Sequence, residues 1–228
     1  MIVHTMTHEQ MVLEARKDIQ AMRNKCTEPM RKLRRELFAS KHDTLLHLFD
    51  WKSPNKNNWL VLIRHSKKRT LILSLAWFPD REGKLAALWT TGAGMAFYID
   101  SHVFERFGER FVPDEIPIER MQSFFLENHL FSFEPTVQKS EDRFEVSIGA
   151  NQGMGLGEWD RSTDIIHWRT FVNHGQLFEN QEIAMERMDW DRVLLDMSPG
   201  QRKHLIALAE KNDPEVAAFL KSRWGKAA

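Results

Sequence analysis

The stretch WLVLIRHSKKRTLILSLAWF, residues 59–78, decides the fold class of this chain. Its two apolar runs, WLVLIRH (59–65) and TLILSLAWF (70–78), have strand composition, and the polar SKKR between them has the composition of a turn. The pattern predicts a β-hairpin. Two further apolar runs, LAALWTT (85–91) and GMAFYID (94–100), follow another turn-like segment and extend the hairpin into an antiparallel meander.

A second group of strands is predicted in the later part of the chain. Its members are LFSFEPTV (130–137), RFEVSIGA (143–150), GMGLGEWD (153–160) and DIIHWRTFV (164–172). The glycine run GMGLG lies within strand-like sequence and does not link a strand to a helix. It therefore predicts a tight turn, a bulge or a close backbone approach rather than a phosphate-binding loop.

Helical patterns surround the two groups of strands. Residues 7–25 have apolar residues at helical spacing behind a capping box formed by Thr7 and Gln10. Further helices are predicted at 29–39, 42–49, 102–111 and 116–128, and after Ser198-Pro199 and Asp213-Pro214. The segment WKSPNKNN (51–58) reads as a loop. Because the strands are grouped, the expected fold is α+β: an antiparallel sheet with an N-terminal helical arm, two central helices and C-terminal helices.

Length and composition favour one domain. The 228 residues predict a single α+β unit with a helical arm (1–50), a sheet-containing core (59–178) and a helical tail (190–228). The net charge of zero argues against a global field that attracts nucleic acid. One cysteine, no signal pattern and no apolar run of about 20 residues predict a cytoplasmic protein that does not enter a membrane.

The segment FYIDSHVFERFGERF (97–111) carries the clearest chemical pattern. His102, Arg106 and Arg110 are spaced by four residues and fall on one face of the predicted helix. A histidine exchanges protons near neutral pH, and arginine holds phosphate oxygens. Metal-independent RNA cleavage needs these groups. The alternative is an ordinary amphipathic helix whose charged side, including Glu105 and Glu109, faces solvent.

Residues 97–172 resemble the barnase–EndoU–colicin–RelE-like ribonuclease superfamily of toxin-related domains. The likeness rests on the string I-x-S-H-x-x-x-R-x-x-x-R, a second helix, and antiparallel strands ending in R-T-F-V. Val103 and Phe111 stand where the family often has alanine and glycine. The resemblance implies a catalytic set of His102, Arg106, Arg110, Arg169 and Thr170.

The late strand DIIHWRTFVNH (164–174) alternates in a way that sorts its side chains. Ile166, Trp168, Thr170 and Val172 are expected on one face, and His167, Arg169 and Phe171 on the other. His167 and Arg169 would then line a cleft together with the helix of His102. The alternative is a solvated outer face.

A locally basic region lies in the helical arm and at the first hairpin tip. The candidate nucleic-acid-binding residues there are Arg31, Lys32, Arg34, Arg35, Lys67 and Lys68, with His167 as a further candidate on the late strand. The alternative is a salt-bridged, solvated helix. No histidine or carboxylate spacing matches a metal-site signature, so no metal or cofactor is expected. Cys26 is expected to be a buried or incidental thiol.

Three functions are compatible with these patterns. The first is a metal-independent endoribonuclease, or an RNA-binding relative of the RelE/barnase-like toxins. The second is a non-enzymatic module that binds a protein or a nucleic acid through its helical arms. The third is a structural protein whose terminal helices assemble an oligomer.

Overall fold

The computed structural model describes residues 1–90 and 94–178, and within 181–221 it describes 181, 182, 184, 185, 188, 199–212, 214, 217, 218 and 221. The chain forms two compact units, Met1–Met188 and Asp189–Ala228. Helices of the first unit with described bounds are α1 (His8–Arg16), α2 (Ile19–Ala39), α3 (Ser101–Phe111) and α4 (Pro117–Glu127), and a 3-10 turn covers His174–Gln176. The second unit contains α5 (Pro199–Asn212).

The first unit is built on a mixed sheet of nine strands. These are β1 (Thr44–Lys52), β2 (Asn58–Ser66), β3 (Thr70–Pro79), β4 (Leu85–Thr90), β5 (Ala96–Ile99), β6 (Ser132–Gln138), β7 (Arg143–Ala150), β8 (Gly153–Asp160) and β9 (Ile165–Asn173). Their order in the sheet is β1-β2-β3-β4-β5-β9-β8-β7-β6. Two antiparallel meanders are thus joined through β5 and β9.

The predicted α+β class is confirmed, but the prediction of a purely antiparallel sheet is wrong. The pair β5–β9 is parallel, with Tyr98 opposite His167. Between these strands the chain passes through α3, α4 and three strands. A connection of that length allows a strand to return in the same direction as its neighbour, which a short hairpin cannot do.

Helices cover both faces of the sheet. Trp59, Val61 and Ile63 of β2 face a core shared with α1 and α2, whereas Leu60 and Leu62 face a core shared with α3 and α4. Burial on both faces explains why the central strands read as continuous apolar runs. Among the residues that the structure describes, no helix combines the length and apolar character needed to cross a bilayer.

Most of the predicted elements are present, and the main errors lie in the N-terminal arm. The predicted helix 42–49 is strand β1, whose Leu45 and Phe49 pack toward α2 while Leu48 packs on the other face. The alternation of buried faces along β1 is hard to see in the sequence, because Leu45, Leu46 and Leu48 place apolar residues on both faces. The loop predicted at 51–58 covers only residues 53–57, because residues 51 and 52 belong to β1 and residue 58 belongs to β2.

The break between the first two helices also lies elsewhere than predicted. Helix α1 starts with the expected capping box of Thr7 and Gln10 but ends at Arg16, and α2 runs through Pro29 without interruption. Packing of the buried side chains of α2 on the sheet overrides the local cost of an internal proline. The helix predicted after Asp213-Pro214 lies largely outside the described residues.

Cys26 gives a simple test of this packing. The residue is fully buried in α2, and burial raises the pKa of its thiol to about 11. Since only the thiolate reacts readily, we expect a disulfide reagent such as DTNB to label the folded protein very slowly. In guanidinium chloride one thiol per chain should react within minutes. Equal labelling rates in the two conditions would contradict the buried position.

Candidate functional site

A row of polar side chains crosses the sheet where the two meanders meet. Glu158 of β8 is the register partner of His167 of β9, and His167 is in turn the partner of Tyr98 of β5. Partners in an antiparallel pair have Cα atoms about 4.5–5.5 Å apart and point to the same face. Glu158 and His167 are therefore neighbours on the face that also carries α1.

His167 is held by a carboxylate from the start of α3. Its Nε2 lies 3.5 Å from Oδ2 of Asp100, and the other carboxylate oxygen of Asp100 accepts the backbone N–H of His102 at 3.0 Å. The hydrogen bond from His167 is the main reason why the pKa of Asp100 lies below its ordinary value. An ionised carboxylate only accepts hydrogen bonds, so Nε2 carries a proton and Nδ1 is the nitrogen left for exchange with a ligand.

Helix α1 supplies a second imidazole beside the first. His8 stacks on Tyr98 with ring centroids 4.1 Å apart and meets His167 edge-on at 5.4 Å. Burial, and then the charge of His167, lower the pKa of His8. Burial also raises the pKa of Tyr98 to about 12. Both groups are therefore neutral near pH 7 and form an uncharged wall beside His167.

Two arginines flank Glu158. Oε2 of Glu158 is 2.8 Å from Arg169, and Oε1 is 3.7 Å from Arg143. The Glu158 side chain is 24% exposed, whereas the arginine side chains are 57% and 61% exposed. These groups line what we call the His167 cavity, about 330 Å³ in volume, whose wall includes Thr7, His8, Arg143, Glu158, His167 and Arg169.

A larger cavity of about 650 Å³, the His102 cavity, adjoins the first and shares Thr7 and His8 with it. Its wall includes Asp80, Arg81, Lys84, Asp100, His102 and Glu105. Ser101 donates its hydroxyl hydrogen bond to Oδ2 of Asp80 at 2.7 Å. This hydrogen bond of the Ser101 hydroxyl connects the start of α3 to the turn between β3 and β4.

The predicted catalytic residues of α3 do not join the row around His167. Nε2 of His102 accepts a hydrogen bond from Arg106 at 3.2 Å, and its Nδ1 lies 3.7 Å from Glu105. Arg106 also binds Glu109 at 3.1 Å, and Arg110 donates to the backbone carbonyl of Phe171. Arg106 and Arg110 line neither cavity. The side chains of this helix are thus engaged with each other and with the end of β9.

Two of the three residues predicted on the late strand come together. His167 and Arg169 line one cavity. Thr170 is the register partner of Leu156, two residues before Glu158, so it lies on the same face as His167. The predicted alternation is wrong beyond Arg169, because a register shift between Leu156 and Gly157 leaves Arg169 unpaired. Phe171 consequently joins Trp168 in the core.

The close strand packing around this bulge depends on glycine, as the run GMGLG suggested. A Cβ at position 157 would lie 2.3 Å from the carbonyl oxygen of His167. The absence of a side chain at Gly157 therefore lets β8 approach β9 directly beside the candidate site.

The basic residues of the arm divide into two groups. Four of the six predicted residues line a groove of about 460 Å³ between α2 and the β2–β3 turn; they are Arg31, Arg34, Lys67 and Lys68. Lys32 and Arg35 are exposed but do not line it, and Lys32 lies 3.9 Å from Glu36. Two thirds of the predicted basic residues therefore come together from two distant segments.

Sequence reasoning missed Glu158, Asp100, Arg143 and His8 as members of the site. Glu158 lies an even number of residues after Met154 and Leu156 of β8, but only the pairing register shows that it faces His167. His8 was visible only as one of two histidines four residues apart. Among the described residues, no three His, Cys, Asp or Glu side chains are grouped as a metal site would require.

No protein-family model, no curated protein sequence and no solved structure matches this chain. The resemblance of residues 97–172 to the ribonuclease superfamily therefore stays a prediction.

Proposed function

We propose that this protein cleaves RNA without a metal ion, using the residues of the His167 cavity. The observation that carries the proposal is the adjacent pair of Glu158 and His167 on a partly exposed sheet face, flanked by Arg143 and Arg169. A carboxylate, an imidazole and two guanidinium groups are the parts that cleavage by the ribose 2′-hydroxyl requires.

In the proposed reaction Glu158 acts as the base. It takes the proton of the 2′-hydroxyl while the 2′-oxygen attacks phosphorus. The bond from phosphorus to the 5′-oxygen breaks, and His167, with both ring nitrogens protonated at this step, gives that oxygen its Nδ1 proton. The products are a 2′,3′-cyclic phosphate and a 5′-hydroxyl. Glu158 then loses its extra proton to solvent, and His167 regains a proton from solvent.

The two arginines would hold the phosphate. Both arginines form ion pairs with Glu158 in the free protein, but the arginine side chains are more than half exposed. Ion pairs of this kind contribute only about 0–1 kcal/mol, so a phosphate can replace the carboxylate as their partner. Release of the arginines would also free the Glu158 oxygens to accept a proton.

Asp100 and His8 act as positioning residues in this proposal. Asp100 binds Nε2 of His167 and thereby fixes which ring nitrogen faces the ligand. His8 remains neutral and packs edge-on against the His167 ring. Neither group needs to touch the reacting atoms.

Cleavage of a fluorescent single-stranded RNA in the presence of EDTA tests the proposal. We expect His167→Ala and Glu158→Gln each to lower the rate by about 100-fold or more, the usual contribution of a general acid or base. His102→Ala is the matched control and should change the rate by less than about threefold, because its ring contacts Arg106 and Glu105 of its own helix.

Two further readouts separate chemistry from folding. Thermal unfolding should be similar for the wild type and the three variants, since each altered side chain is partly exposed. A substrate with a single 2′-deoxy sugar at the cleavage position should resist cleavage. No product from any RNA with the wild type, or loss of activity in His102→Ala with activity kept in His167→Ala, would refute the proposed site.

A further inference from the structure

A second surface, remote from the His167 cavity, has the composition of a nucleic-acid-binding site. The basic groove lies between the C-terminal half of α2 and the turn that joins β2 to β3. Five arginine and lysine residues line it, and no aspartate or glutamate does; the five are Arg31, Arg34, Lys67, Lys68 and Arg69. In a chain with 32 basic and 32 acidic residues, that one-sided lining marks a local positive surface.

An exposed aromatic ring accompanies these cations. Phe38 is 79% exposed and lines the groove, and the guanidinium group of Arg34 lies 5.9 Å from the centre of its ring. A phenylalanine in the core would be covered, as most of the large apolar residues in the described part of the chain are. Basic side chains that follow a phosphate backbone, together with an aromatic ring on which a base stacks, are the features of single-strand binding.

The turn that carries the lysines is held in one conformation. The hydroxyl oxygen of Ser66 accepts the backbone N–H groups of Lys68 at 3.3 Å and Arg69 at 3.2 Å, and Nδ1 of His65 lies 2.6 Å from the hydroxyl of Thr70. The side chains of the turn are thus presented by an ordered frame, which reduces the entropy lost when a ligand binds.

Two cations of the groove have exposed acidic partners. Arg31 lies 3.6 Å from Glu28 and Lys67 lies 3.0 Å from Asp43, and all four side chains are at least 60% exposed. Neither acidic residue lines the groove. Because exposed ion pairs are weak, a phosphate can compete for both cations.

We propose that the basic groove binds single-stranded nucleic acid through its phosphates and through stacking of one base on Phe38. The groove and the β3–β4 turn beside the His102 cavity lie at opposite ends of the ten-residue strand β3, about 30 Å apart at the usual rise. Binding at the groove is therefore separate from chemistry at His167 and does not depend on it.

Anisotropy of a fluorescent oligodeoxythymidine of about 12 nucleotides tests this inference, since that length covers a typical single-strand site. We expect Arg31→Gln/Arg34→Gln to weaken binding by about tenfold at low salt. The slope of log Kd against log salt should fall by about 1.4, which is about 0.7 for each lost phosphate contact. Phe38→Ala should weaken binding by about tenfold with little change in slope.

Lys32→Gln/Arg35→Gln is the matched control, because it removes the same charge from the same helix outside the groove. It should change Kd by less than about threefold. Equal weakening by both double variants would show binding by net charge alone and overturn the inference. Wild type that binds phosphatidylserine vesicles but not the oligonucleotide would overturn it in favour of a membrane surface.

The probe also separates this inference from the proposed cleavage. An oligodeoxythymidine has no 2′-hydroxyl, so its binding reports on the groove whether or not the protein cleaves RNA. Failure of the groove inference would appear as an unaltered Kd in the groove variants, whereas failure of the cleavage proposal would appear as absence of RNA product.

Discussion

Asp18→Ala is expected to lower the free energy of unfolding by about 4 kcal/mol, because it removes the shared acceptor of several buried donors. The Asp18 side chain is fully buried between α1 and α2. Its carboxylate accepts hydrogen bonds from Asn57 Nδ2 at 2.7 Å, Trp59 Nε1 at 2.9 Å and Asn55 Nδ2 at 2.7 Å. Asn57 and Trp59 are buried, so water cannot readily replace the lost acceptor.

Unfolding in urea measures this effect, with Glu36→Ala as the control. Glu36 makes an exposed ion pair with Lys32, and its loss should cost less than about 1 kcal/mol. If Asp18→Ala cost no more than Glu36→Ala, the buried hydrogen-bonded cluster around Asp18 would not be a main source of stability.

The contribution of Asp18 should also depend on pH. Burial alone would raise the pKa of this carboxyl, but hydrogen bonds from Ser53, Asn57, Trp59 and Asn55 outweigh it and hold the pKa below the ordinary value. The stabilisation is then complete above the ordinary pKa of about 3.9 and is lost as pH falls through the lower folded-state pKa. The stability difference between wild type and Asp18→Ala should therefore be constant near neutral pH and shrink only in strong acid.

Gly155→Ala is expected to destabilise the protein by about 3 kcal/mol through overpacking. A Cβ at this position would lie 2.1 Å from Nε1 and 2.2 Å from Cε2 of Trp168. Trp168 is fully buried, and its indole N–H donates to the carbonyl of Thr170 at 2.9 Å. The indole ring cannot retreat without disturbing the aromatic core on the α3 and α4 side.

Gly175→Ala is the matched control for this substitution. A Cβ added at Gly175 would lie 3.8 Å from its nearest neighbour, the Asn173 side chain, and the Gly175 backbone is not in the left-handed region. Thermal unfolding should show a clear loss for Gly155→Ala and almost none for Gly175→Ala. Similar midpoints for the two variants would mean that β8 does not approach Trp168 as closely as described.

The local features of this protein follow from its sequence. The apolar runs of β2 and β3 predict strands, the capping box at Thr7 predicts the start of α1, and the glycine run predicts the close strand packing at β8. Each depends on residues within about ten positions of each other, where the two-residue and 3.6-residue periods are decisive.

The candidate site was predicted only in part. Alternation along β9 places His167 and Arg169 together, and both line one cavity. The sequence also offered His102, Arg106 and Arg110 as partners, since charge and spacing cannot show which acid each cation will contact. In the structure Arg106 contacts Glu109, and Arg110 donates a hydrogen bond to the carbonyl of Phe171. Arg169 contacts Glu158.

Only the tertiary structure decided how distant segments meet. The parallel pairing of β5 with β9 sets Tyr98 beside His167 across 69 positions of sequence, and the register of β8 sets Glu158 beside the same histidine. The helix break at Asp18 likewise depends on Asn57 and Trp59, which no local pattern links to it. The sequence by itself determined most of the strands and helices, with β1 and the break between α1 and α2 as exceptions, because local periodicity fixes their buried faces. Strand pairing and ion-pair choice required the fold, because many registers and partners have nearly equal local energies and only the packed core selects one of them.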